Sequence, residues 1–186
     1  MDALKENVEA AQKEESYGSQ CTGSVVVLDV NDFSVLCAQS YPNYDLDKYM
    51  NDPQYREDLL LNKDGQNAMW NRCFWQGYPI GSAMKPAVAL AALQEGVIDT
   101  STQFRCGYTY YNADMPDFHP LCMGTHGYLN VIEALTVSCN IFFYDTGYNL
   151  GIDNMNLYQR KLGLGELTGV ETVSYTHLTL PTILLV

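Results

Sequence analysis

Ser82 and Lys85 stand three positions apart in the stretch Tyr78-Pro79-Ile80-Gly81-Ser82-Ala83-Met84-Lys85-Pro86. On a helix that begins near Gly81 this spacing sets the hydroxyl and the amine on one face, within hydrogen-bonding reach of each other. A serine hydroxyl is a weak nucleophile at neutral pH, and a lysine serves as its base only when unprotonated, a state that burial beside apolar groups favours. The run Ala87-Val88-Ala89-Leu90-Ala91-Ala92-Leu93 that follows is apolar on every face. It predicts a buried helix with Lys85 desolvated in its first turn. Pro86 is tolerated only near a helix start and so fixes the register. Taken alone the pair is weak evidence, since a chain this long carries such a spacing by chance and an ordinary surface helix start is the better explanation of it.

A second polar triplet changes that balance. Ser138-Cys139-Asn140 lies downstream in Leu135-Thr136-Val137-Ser138-Cys139-Asn140-Ile141-Phe142-Phe143-Tyr144-Asp145. Serine-x-x-lysine, followed by a serine-x-asparagine type motif and then lysine-threonine-glycine, marks the acyl-transfer sites of serine β-lactamases and penicillin-binding proteins. Two of the three motifs are present. The segments Gly23-Ser24-Val25-Val26-Val27-Leu28-Asp29-Val30, Ser40-Tyr41-Pro42-Asn43-Tyr44-Asp45, Asn71-Arg72 and His126-Gly127-Tyr128-Leu129-Asn130 also follow in family order. Over residues 1–171 the chain resembles the transpeptidase domain of class B penicillin-binding proteins.

The resemblance implies an α/β (α+β) fold of the serine β-lactamase and penicillin-binding-protein type. The part present would be its N-terminal half, strands of an antiparallel sheet plus the helical half of the active site. It implies that Ser82 attacks the penultimate D-alanine carbonyl of a peptidoglycan stem peptide ending in D-Ala-D-Ala, with Lys85 taking the proton. Ser138 would relay a proton toward the leaving amine, and Asn140 would hold the substrate amide and Lys85, while Cys139 points into the core. For Ser138 and Asn140 the plainer alternative is a helix break with a side-chain cap. β-Lactams would acylate Ser82 as substrate mimics, and no cofactor is called for. The full-length protein is expected at the outer face of the bacterial cytoplasmic membrane, with the cell-wall elongation or division machinery.

Composition bounds the same picture. The chain has 186 residues, 47% of them apolar, enough for one globular domain with a sizeable core. Its net charge is −12, and its Lys and Arg residues are scattered, so a nucleic-acid partner has no basic patch to meet. No apolar run approaches the ~18 residues of a membrane span, and the start is charged and amphipathic. The family's enzymes carry an N-terminal anchor, so the reading is of a fragment that starts at an internal methionine.

The elements expected to carry these residues follow from patterning. Residues 1–16 read as a helix striped by Leu4, Val8 and Ala11. Residues 22–30 and 33–40 read as strands joined by a two-residue hairpin turn at Asn31-Asp32. Residues 41–77 read as loop, with a short helix over 53–61. Gly96 is placed to cap the Ser82 helix, residues 98–104 to run extended, and residues 108–111 to open a tyrosine-rich excursion. Asn130 with Glu133 forms a capping box for a helix leading to the second motif. Two more helices follow, with Asp153 available to cap the second.

Six cysteines, Cys21, Cys37, Cys73, Cys106, Cys122 and Cys139, are spread without a C-x-x-C pair. Cys106 and Cys122 bracket the excursion that holds His119, with His126 just beyond. Those four can bind zinc if the fold gathers them; a disulfide and free thiols are the other states open to the cysteines.

The chain departs from the family in one important way. It contains no lysine-threonine-glycine, and Glu166-Leu167-Thr168-Gly169 comes too early to replace it. In the family that motif lies on a later strand, which carries the lysine that reads the substrate carboxylate and one oxyanion donor. The resemblance ends after Glu171, and residues 172–186 read as a non-native tail outside the fold. A β-lactam-sensing receptor domain, a serine β-lactamase and a catalytically silent interaction fragment are the alternatives to a transpeptidase.

Overall fold

A computed structural model describes residues 2–14, 21–75, 77 and 79–165, which fall into two compact units, one before and one after the 76/77 boundary. In the first unit, helix α1 (Asp2–Gln12) lays Val8 against strand β1 (Gly23–Leu28). A Cβ at Gly23 would stand 2.9 Å from Val8 Cγ2 and 3.3 Å from Leu4 Cδ1, so the missing side chain is what admits the helix. β1 pairs antiparallel with β2 (Val35–Tyr41), Gly23 facing Tyr41 and Val27 facing Cys37, with a register shift before Leu28.

The expected two-residue turn is not formed. Residues 29–34 make a longer connection in which the Asp29 and Asp32 carboxylates accept from the N–H groups of Asn31 and Ser34, and Phe33 takes a φ of 59°. Aspartate side chains that satisfy their own backbone two residues on compete with the tight hairpin, and here they win. Helix α2 (Leu46–Asn51), capped by Asp45, lies where the sequence reading had loop, and α3 (Pro53–Leu60) is one residue shorter than expected. Arg72 is only 5% exposed. Its guanidinium donates to the carbonyls of Gln66, Asn67 and Trp70, and its N–H to Ser40 Oγ, fastening the loop to β2.

The second unit holds the motifs. A 3-10 turn (Gly81–Met84) leads directly into α4 (Lys85–Gln94). Strands β3 (Phe104–Cys106) and β4 (Gly127–Leu129) pair antiparallel, and α5 (Val131–Thr136), α6 (Asn140–Leu150) and α7 (Ile152–Lys161) follow. α4 packs on α6 and α7 through Val88, Ala89 and Ala92, facing a layer that includes Ile141, Phe142 and Phe143. Burying a large apolar side chain stabilises by about 1.5–3 kcal/mol, so the two phenylalanines anchor the helix that begins at Asn140.

Expectation and structure differ at three points here. α4 is not buried all round, since Leu90 is 50% and Leu93 38% exposed. Residues 99–102 form a turn closed by the Asp99 carboxylate, which accepts from Ser101 and Thr102, so extended chain begins only at Phe104. α7 starts at Ile152 after Gly151 (φ 76°), which puts Asp153 inside the first turn rather than at the cap. Among the described residues no helix is long and apolar enough to cross a membrane.

Candidate active site

Gly81 opens the site with a φ of 58°, a left-handed bend that costs glycine little. The bend starts the 3-10 turn that carries Ser82, which is exposed. With three residues per turn, positions i and i+3 eclipse, so Ser82 stands over Lys85. Lys85 is the first residue of α4 and is 1% exposed.

The Lys85 ammonium spends its three donors on the second motif. Nζ donates to Asn140 Oδ1 at 2.6 Å, to the Ser138 carbonyl at 2.7 Å and to Ser138 Oγ at 3.1 Å. The Phe143 ring lies 5.7 Å away. None of these partners is a carboxylate, and among the described residues Lys85 has no ion pair. Burial pushes its pKa below the usual lysine range, partly opposed by the Cys122 and Cys139 sulfurs, which favour the charged form. Ser82 and Lys85 share no hydrogen bond among the described residues, the three ammonium donors being engaged elsewhere. A neutral amine has only two N–H groups and a lone pair. Of the three contacts, only the one to the Ser138 hydroxyl can reverse direction, so deprotonation frees a lone pair without stranding a carbonyl.

Sequence explains how Ser138 and Asn140 reach Lys85. The Asn130 side chain accepts from the N–H groups of Ile132 and Glu133 while Glu133 accepts from the Asn130 N–H, a complete capping box at the head of α5. α5 ends at a left-handed residue, and that residue is Ser138 (φ 51°) rather than the usual glycine. The conformation aims both of its oxygens at Lys85. Asn140 then begins α6, with Nδ2 donating to the Leu121 carbonyl at 3.1 Å and its backbone N–H to Cys122 Sγ at 3.3 Å.

Against this junction lies a cluster of Cys106, Cys122, His126 and Cys139, whose ligand atoms all lie within 4.8 Å of one another. His126 Nδ1 is 3.5 Å from Cys106 Sγ and 3.6 Å from Cys122 Sγ, and the Cys122 and Cys139 sulfurs are 3.9 Å apart. Tetrahedral zinc, with bonds of about 2.3 Å to sulfur and 2.0 Å to nitrogen, separates its ligands by roughly 3.5–3.8 Å. The donor set and spacing fit that ion. A Cβ at Gly124 would press to 3.3 Å on His126 Nε2, so the glycine leaves the imidazole its place.

The thiols differ in character. Burial works against the Cys122 thiolate, yet the backbone N–H groups of Gly124, Asn140 and Ile141 outweigh it and lower the thiol; burial raises Cys139. His119 is not a member of the cluster. Its Nδ1 lies 3.2 Å from the Tyr110 carbonyl and its ring lies tilted against that of Tyr111, and Cys139, which spacing alone did not connect to the histidines, takes the fourth position. Residues 166–169 and 172–186 lie outside the described residues.

Comparison with known proteins adds three findings. Residues 23–177 match the family described as penicillin binding protein transpeptidase domain. Over 161 residues the chain is 33% identical to the peptidoglycan D,D-transpeptidase MrdA of Haemophilus influenzae, and over 160 residues 31% identical to that of Escherichia coli K12; each alignment covers 86% of this chain and 25% of the relative. The crystal structure of Pseudomonas aeruginosa PBP2 in complex with WCK 5153 is similar with a TM-score of 0.68 at 27% identity, covering 89% of this chain and 36% of that one. The chain thus spans about a quarter of the length of the curated relatives it matches.

Proposed function

The chain belongs to the penicillin-binding protein transpeptidase family, and from that premise we propose that it supplies the nucleophile, base and proton relay of a D,D-transpeptidase that cross-links peptidoglycan. The observation that carries this reading is Lys85, buried with no carboxylate partner among the described residues and joined to both polar residues of the Ser138-Cys139-Asn140 motif.

In this reading neutral Lys85 takes the Ser82 Oγ proton as Oγ bonds to the carbonyl carbon of the penultimate D-alanine. The backbone N–H of Ser82 is one oxyanion donor. As the tetrahedral intermediate collapses, the bond to the terminal D-alanine breaks, and the proton passes from Lys85 through the Ser138 hydroxyl to the departing amine. The acyl group then moves to the amine of a second stem peptide, while a β-lactam opens its ring on Ser82 and stays attached. The second oxyanion donor and the carboxylate-reading lysine would come, as the resemblance implies, from the lysine-threonine-glycine strand of the whole protein. Residues 1–171 are therefore read as part of a transpeptidase domain, working at the outer face of the cytoplasmic membrane within the wall-building machinery.

D-Alanine release from a stem-peptide mimic, measured in the whole protein, tests the reading. Release that is lost in Lys85→Arg supports it, because guanidinium stays charged and cannot act as base. Stable penicillin label without release would favour a sensor, rapid loss of label a β-lactamase, and neither label nor release a silent module. The cysteine-histidine cluster is read as a structural zinc centre, on its soft donor set and tetrahedral spacing. One equivalent of zinc in the purified protein, lost in Cys106→Ser, supports that assignment, and a metal-free protein with all these thiols titratable contradicts it.

A further inference from the structure

The orientation of Asn140 is imposed from outside its own helix. A helix leaves its first N–H groups without intrahelical partners, and a side chain at the N-cap ordinarily serves them. Here the N-cap is Cys139, which makes no capping hydrogen bond. The Asn140 N–H goes instead to Cys122 Sγ, from the 107–126 excursion.

The Asn140 side chain is held from the same segment. Residues 108–110 and 120–122 form a short antiparallel ladder: the Tyr110 N–H donates to the Pro120 carbonyl at 3.0 Å, the Cys122 N–H donates to the Tyr108 carbonyl at 2.7 Å, and Thr109 faces Leu121. The Leu121 carbonyl between those bonds accepts from Asn140 Nδ2. With Nδ2 taken by a carbonyl, the amide must turn Oδ1 toward Lys85, where it accepts at 2.6 Å. A reversed amide would set N–H groups against the ammonium and an oxygen against the Leu121 carbonyl, two repulsive contacts in place of two hydrogen bonds. Because an amide nitrogen carries two hydrogens, one N–H of Asn140 remains for a further acceptor.

The geometry points to Cys122, with the Leu121 carbonyl beside it, as a positioning element that caps α6 in trans and sets the Asn140 amide for Lys85 and substrate. This rests on the reading of Asn140 as part of the acylation site. Cys122 is a positioning residue and touches neither Lys85 nor the nucleophile in any hydrogen bond among the described residues. Its sulfur also belongs to the metal-binding cluster, and a ligating sulfur keeps lone pairs that accept N–H bonds, so both tasks are compatible in one atom.

Two variants separate positioning from metal binding: Cys106→Ser removes a cluster ligand that shares no hydrogen bond with Asn140 among the described residues, whereas Cys122→Ala removes the Asn140 acceptor as well. The first readout uses the chain itself and needs no activity. In nitrogen-15 NMR spectra, Cys122→Ala is expected to shift the Asn140 backbone N–H and move its side-chain amide pair toward solvent-exposed values. Cys106→Ser should leave both in place, and the Asn130 cap amide serves as the internal control. Cys122→Ser, which keeps an acceptor, should restore the Asn140 signals even where the alanine variant fails to fold.

In the whole protein, penicillin acylation is resolved into noncovalent affinity and acylation rate constant. Misplacing a reacting group by about 1 Å can cost ~10²-fold, so Cys122→Ala should lose about that factor in the rate constant with affinity unchanged, and Cys122→Ser should recover most of it. Asn140 signals unmoved in Cys122→Ala, or equal effects of Cys106→Ser and Cys122→Ala, would overturn the proposal. A whole wild-type protein that takes no label, while the NMR shifts appear as expected, would overturn the transpeptidase reading and leave the positioning contact standing.

Discussion

Ser138 carries two burdens that substitution can separate, a left-handed backbone and a hydroxyl on Lys85. An L-residue at positive φ is strained by about 1–2 kcal/mol relative to right-handed backbone, a strain that glycine escapes at the expense of about 0.5–1 kcal/mol in chain entropy. A hydrogen bond to a charged group contributes about 1.5–3 kcal/mol. Ser138 is half-buried, so water can replace part of the lost contact and the low end applies. Ser138→Ala loses the hydrogen bond and keeps the strain, which predicts destabilisation of about 1.5 kcal/mol. Ser138→Gly loses the same bond and sheds the strain, and should be more stable than Ser138→Ala by about 0.5–1 kcal/mol. In urea unfolding followed by near-ultraviolet circular dichroism, that difference moves the midpoint by roughly 0.3–0.5 M at a slope near 2 kcal/mol/M. Both variants should lose penicillin acylation, since neither has the hydroxyl. Equal midpoints would refute the strain argument, and normal acylation in Ser138→Gly would refute the relay.

Other consequences are as open to measurement. Asn130→Ala removes the two hydrogen bonds that its side chain accepts at the head of α5 and should lower stability by about 1 kcal/mol, with faster amide exchange at Ile132 and Glu133; unchanged exchange there would contradict the cap. Burial raises the Asp145 carboxyl above its usual range, with a Tyr110 hydrogen bond opposing. The folded chain then holds that proton more tightly than the unfolded chain, so the contribution of Asp145 to stability is full below pH ~3.9 and is lost as pH rises through the folded value. Asp145→Asn should flatten that decline and be the more stable protein at neutral pH, and a steeper decline in its urea midpoints would contradict the assignment.

Local chemistry was the part legible in the sequence. Asn130 and Glu133 announce their capping box, Gly96 takes the positive φ of 68° that a helix end asks for, and Pro86 marks the start of α4. The α/β transpeptidase fold came from motif order, and its solved relatives share it. What escaped depends on contacts distant in sequence or on competition between neighbours. Which histidine joins the cysteines is decided by Tyr110 and Tyr111, which occupy His119, and by the α5 to α6 junction, which delivers Cys139. The turn after β1 depends on two aspartates whose side chains outcompete a tight hairpin. The resemblance already had Asn140 hold Lys85, but nothing in the spacing told that Ser138 would meet the amine with both its carbonyl and its hydroxyl. The only hint of the Cys122 contact was a cysteine at the centre of the second motif, where the N-cap of α6 lacks a capping side chain.

Everything proposed for the site turns on Ser82 as the nucleophile. The direct measurement is to treat the whole protein with a labelled penicillin, digest it and locate the label by mass spectrometry. One adduct is expected, on the peptide that contains Ser82, absent in Ser82→Ala while the circular dichroism spectrum stays unchanged. Label on another residue, or label that persists in folded Ser82→Ala, would contradict it.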